Sequence, residues 1–127
     1  MTYQALHQDL LSLKQLLTEA ATESPIETHD AQTWQHQITQ AEQSFQAALT
    51  LVQVEQLESQ GQQRLQALQT EISRQLRLVK LDISFLQAAR QPGVQQQRYQ
   101  QTQAHLGDLL RLTAGIVALL ESKTHAD

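Results

Sequence analysis

Apolar residues return at steps of three and four along almost the whole 127-residue chain, and that period belongs to a helix packed on one face, not to a strand. Tyr99, Thr102, Leu106, Leu109, Thr113, Ile116 and Leu120 form the clearest run, a seam suited to antiparallel helix packing. Trp34, Ile38, Ala41, Phe45, Ala48 and Val52 repeat it earlier in the chain. Only 4 glycines and 2 prolines are present, too few to supply the many turns of a sandwich or barrel. The expected fold is therefore all-α, an up-down antiparallel bundle of about four helices in a single domain over residues 1–127. Long helical hairpins that dimerise are the alternative. The 25 glutamines do not argue for disorder, because a disordered glutamine tract has no reason to keep the period. The 21 leucines mark the buried stripes, and glutamine, a good uncharged helix former, fills the solvated faces.

The pattern predicts helices over about 3–21, 28–59, 62–91 and 94–123. On the first, Leu6, Leu10, Leu13, Leu17 and Ala20 share one face, with Leu11 and Leu16 widening it. Ser24, Thr28 and Asp30 are rival N-caps for the second. Gly61 is the expected stop between the second and third, although one glycine costs a helix only about 1 kcal/mol and continuity stays open. The third buries Leu65, Leu68, Ile72, Leu76, Val79, Ile83 and Leu86. Gln91-Pro92-Gly93 then breaks the chain, since the residue before proline is pushed out of the helical region and glycine permits a reversal.

Several function classes lack their residues. With no cysteine there is no disulfide framework and no thiolate chemistry, which makes a cytoplasmic location the default expectation. Met1-Thr2-Tyr3-Gln4 has no basic leader character, and Leu106 to Leu120 carries Asp108 and Arg111, too charged to insert in a membrane. A carboxylate-bridged metal site needs Glu-x-x-His pairs, yet the residues three before His7, His29, His36, His105 and His125 are Gln4, Ile26, Thr33, Thr102 and Ser122. His29 and His36 lie seven apart with no third ligand beside them, so no metal or cofactor is expected. No phosphate-binding glycine loop, nucleophile elbow or inward carboxylate pair is present, and catalysis is not expected. Asp82, flanked by apolar residues, reads as a partly buried carboxylate satisfied by Arg77 or Lys80.

Charge is divided unevenly. Residues 1–63 hold eight acids and one base, while residues 64–127 hold five acids and eight bases. Pairing between an acidic first hairpin and a basic second one is the plain structural explanation. The functional one is that Arg74, Arg77 and Lys80 present positive charge to an acidic partner. Nucleic acid is not that partner, because a net charge of −4 and a pI near 5.7 oppose long-range attraction to phosphate.

From Leu76 the third helix becomes apolar on two faces, with Leu78, Leu81, Phe85 and Ala88 forming a second line away from the first. Such a helix is either central in its bundle or keeps one face for a partner chain. The same run, Glu71-Ile72-Ser73-Arg74-Gln75-Leu76-Arg77-Leu78, then Asp82-Ile83-Ser84-Phe85-Leu86-Gln87-Ala88-Ala89-Arg90-Gln91, resembles a segment of the cyanobacterial heterocyst frequency control protein PatD family. The resemblance covers about a sixth of the chain. It implies a small, non-enzymatic, cytoplasmic helical protein that binds the tubulin-like division protein FtsZ at the division site, modulates its assembly and influences heterocyst frequency. Its matched positions are Arg74, Gln75, Arg77, Asp82, Phe85, Leu86, Arg90 and Gln91. Residues and resemblance together make Arg74, Arg77, Leu78, Lys80, Leu81, Phe85 and Arg90 the expected partner-binding set. A homodimeric, coiled-coil-like adaptor that uses the same strip between two copies is the second reading.

Overall fold

The computed structural model describes residues 2–20, 31–51 and 58–125. These form four helices and, among the described residues, no strand: α1 (Thr2–Ala20), α2 (Ala31–Leu51), α3 (Ser59–Ala88) and α4 (Pro92–His125). Neighbours in sequence pack side by side, α1 on α2, α2 on α3 and α3 on α4, and α1 against α4 closes the ring. Cross-helix bonds set the directions. Gln4 and His7 of α1 meet Glu121 and Thr113 of α4, Gln35 and Glu42 of α2 meet Ser84 and Lys80 of α3, and Asp82 and Phe85 of α3 meet His105 and Arg98 of α4. Partners descend on one helix as they ascend on the other, so neighbours round the ring run antiparallel. The chain is an up-down helical bundle, as the period requires.

One apolar core runs through it. Leu6, Leu10, Leu13 and Leu17 from α1 are fully buried, as are Ile38, Ala41 and Ala48 from α2, Leu65, Ile72, Val79 and Ile83 from α3, and Leu106, Leu109 and Ile116 from α4. Thr102 and Thr113 sit on the α4 seam with no exposure. Their hydroxyls donate to the carbonyls of Arg98 (2.7 Å) and Leu110 (3.0 Å) in their own helix, so burial leaves neither donor unpaired. Because the Thr113 proton is committed to Leu110, His7 must donate from its own Nδ1 to the Thr113 oxygen at 2.6 Å. Leu11 does not widen the α1 stripe. It lies well round the helix from Leu6, Leu10 and Leu17 and is exposed, whereas Leu16, nearer that stripe, is partly buried.

The punctuation differs from expectation at two places. Gly61 is not a stop but the third residue of α3, whose first turn is preceded by an extended Glu58 (φ −66°, ψ 164°) that accepts the Gln62 amide at 2.8 Å. The small propensity cost of one glycine is outweighed once Leu65, a turn later, reaches the core. The second helix therefore does not reach 59. Residues 21–30 and 52–57, with the rival caps Ser24, Thr28 and Asp30 and the core candidate Val52, lie outside the described residues. At the α3–α4 turn, Ala89 is extended (ψ 127°) and Pro92 is already helical. Proline suits a first helical position because its missing N–H would have no partner there. Gly93 is thus helical, and the reversal is made across Ala89 to Gln91. Buried Gln95 completes the turn by donating its side-chain amide to the Ala89 carbonyl (3.0 Å).

Tyr3 gives this core an alkaline signature. The ring is buried and its hydroxyl accepts from the Gln69 amide at 2.9 Å. Burial raises the phenol above its ordinary value of about 10, and the Gln69 bond offsets this only in part. The unfolded chain ionises first as pH rises, so the stability contributed is fully present below about pH 10 and is lost as pH climbs through the folded-state value. Ultraviolet titration should show one phenol that lags the ordinary range in the folded protein, and Tyr3→Phe should remove that lagging phase. A titration unchanged by the substitution would place the shifted phenol elsewhere.

Candidate partner-binding surface

The helical period that buries Leu76, Val79, Ile83 and Leu86 turns Leu81 and Phe85 to the opposite side of α3, where they are 50% and 41% exposed. Leu78 stands between the two faces and is half-buried. The two-faced character of this helix therefore does not make it central in the bundle. Its second face is open. That face also continues onto α4, where Val94 is 39% exposed and Arg98, one turn later, holds its guanidinium 4.5 Å from the Phe85 ring centroid.

The expected cations separate into two kinds. Arg74 is paired with Glu71 on its own helix (3.3 Å), and Lys80 with Glu42 on α2 (3.3 Å). The Lys80 pair is the charge pairing between hairpins that the sequence offered as its structural explanation, and it reduces what that side chain can offer a partner. Arg77 and Arg90 are exposed and carry no ion pair among the described residues. The surface left to a partner is thus Arg77, Leu81, Phe85 and Arg90 from the expected set, with Leu78 at its edge.

Asp82 is buried, but neither Arg77 nor Lys80 answers it. Its carboxylate accepts from Nδ1 of His105 on α4, which clamps the two helices of the second hairpin together. Arg77 lies well round α3 from Asp82, and the Lys80 ammonium is drawn to α2 instead. Register carries the missing signal: an antiparallel hairpin folded about Pro92 sets Phe85 opposite position 99 and Asp82 opposite position 102, each within one turn of the residue it meets, Arg98 and His105.

Two surface grooves lie elsewhere among the described residues. One of about 580 Å³ runs between α1 and α4, past Ala5, Ala114 and Ala118 with Gln4 and Glu121 at one end. Another of about 450 Å³ lies between α3 and α4, lined by Arg64, Leu68, Gln75 and Arg111 among others. Oε1 of Gln75 is buried there without a hydrogen-bond partner. Among the described residues no three histidines or carboxylates come together as a metal site would need, His36 is exposed, and no helix is long and apolar enough to cross a membrane. His29 lies outside the described residues.

Fold and surface together define a class, a helical bundle with an apolar, cation-rimmed face on its second hairpin. No protein-family model, no curated protein and no solved structure matches the chain.

Proposed function

We propose that this is a non-enzymatic binding protein whose second hairpin docks on a protein partner, and that the partner is the division protein FtsZ, as the resemblance to the PatD family suggests. The carrying observation is the exposure of Leu81 and Phe85, large apolar side chains one turn apart on a helix whose other face already fills the core. Residues of this kind at a rigid helical surface are suited to anchoring a partner, with nearby charges setting orientation and encounter rate. Modulation of FtsZ assembly in the cytoplasm at the division site, and through it heterocyst frequency, belongs to the same proposal.

Co-sedimentation with FtsZ polymers at low salt tests it. Bound protein should fall by about tenfold for Arg77→Glu, a charge reversal beside the apolar anchors, and should fall with added salt for the wild type. If wild-type protein stays in the supernatant, or Arg77→Glu pellets as well as wild type, FtsZ docking through this face is wrong.

A further inference from the structure

We infer that the docking surface crosses from α3 onto α4, and that its occupant is an acidic protein segment bearing large apolar side chains, seated on Leu81, Phe85 and Val94 with carboxylates answered by Arg77, Arg90 and Arg98. This rests on the reading of that face as a docking site and specifies what docks there.

Continuity across the hairpin is the first support. The Arg98 guanidinium over the Phe85 ring joins the helices at the surface, and Val94 stands one turn before Arg98 on α4. Phe85 keeps 41% of its surface exposed despite that cover, so the stack leaves much of the ring to a newcomer. Arg98 has one further polar contact, donating to the Gln101 side chain at 3.4 Å, and no carboxylate answers it among the described residues.

Charge identifies the occupant. Between Glu71 and Asp108 the chain contains a single carboxylate, Asp82, and that one is buried and held by His105. The stretch holds five Lys or Arg side chains if Lys80 and Arg74 are included, but those two are answered by Glu42 and Glu71. Arg77, Arg90 and Arg98 remain. A chain of net charge −4 therefore carries a local positive rim around an apolar centre, the complement of an acidic segment with apolar anchors. A phosphate polymer would meet the anionic remainder of the molecule and has no use for the apolar centre. A second copy in two-fold contact would bring the same arginines face to face.

The test is fluorescence anisotropy of the full chain with a short labelled peptide containing several aspartates and two leucines, beside one peptide with lysine in place of aspartate and one with alanine in place of leucine. The acidic apolar peptide should bind saturably in the micromolar range at low salt, and both controls should bind at least about tenfold more weakly. Arg98→Glu and Val94→Ser should each weaken binding about tenfold with unchanged helicity by circular dichroism. Absence of saturable binding, equal binding of the lysine peptide, or indifference to both α4 substitutions overturns the inference. Peptide binding that depends on Arg98 while FtsZ stays in the supernatant supports the surface and removes only FtsZ. FtsZ binding that responds to Arg77→Glu but to neither α4 substitution overturns the extension onto α4. A tight dimer in sedimentation velocity that Phe85→Ser dissociates overturns the acidic occupant in favour of a second copy.

Discussion

Trp34→Ala is expected to cost roughly 3–5 kcal/mol, the range for deleting a large buried aromatic, because the surrounding core cannot collapse fully into the space. Trp34 is the single tryptophan and is 1% exposed, on the α2 face that also buries Ile38, Ala41 and Phe45. A small domain has about 5–15 kcal/mol of stability in all, so the variant should fall to marginal stability with a midpoint lower by roughly 15 °C. Thermal melting followed by circular dichroism measures it. Leu81→Ala is the matched control: the same deletion of apolar bulk at a half-exposed site should cost well under 1 kcal/mol. If the two variants melt together, the assignment of buried and open faces is wrong.

The second large effect concerns the clamp between α3 and α4. Asp82 is buried, with a side chain 7% exposed, and His105 supplies its partner from a position 25% exposed. His105→Leu should strand the carboxylate and cost about 3 kcal/mol, since an unpartnered buried charge loses its hydration without compensation. Asp82→Leu with His105→Leu should be more stable than His105→Leu alone, because the double replacement leaves no charge to strand. Chemical denaturation of wild type, both single variants and the double variant closes the cycle. Additive losses would mean that the two side chains do not interact.

The elements themselves were legible because each depends on local spacing. Four helices follow from apolar steps of three and four, and the buried sets on α1, α3 and α4 include Leu10, Ile72, Ile83, Leu106 and Ile116. What escaped depends on register between helices. Lys80 and Glu42 are 38 positions apart and Asp82 and His105 are 23 apart, so a reading along one helix offers Asp82 only its near neighbours. Arg98 and Val94 escaped for the same reason: the surface is assembled across the turn, and the α3 pattern supplies only half of it. Gly61 and Gly93 were over-read as breaks because propensity is a weak term beside core burial and a proline already placed at a helix start.

Each helix packs on the one that follows it, and the α1–α4 packing is the main contact that joins distant parts of the sequence. That topology bears on how quickly the chain finds its structure. Contacts made mostly between neighbours in sequence ask little loop-closure entropy of the search, and helical proteins of this kind fold in microseconds to milliseconds. The α3–α4 hairpin has a connection of three residues between its helices and its own clamp in Asp82 and His105, which suits it to form early and template the return of α1. The half of the chain that presents the open face would then be the half that organises the rest.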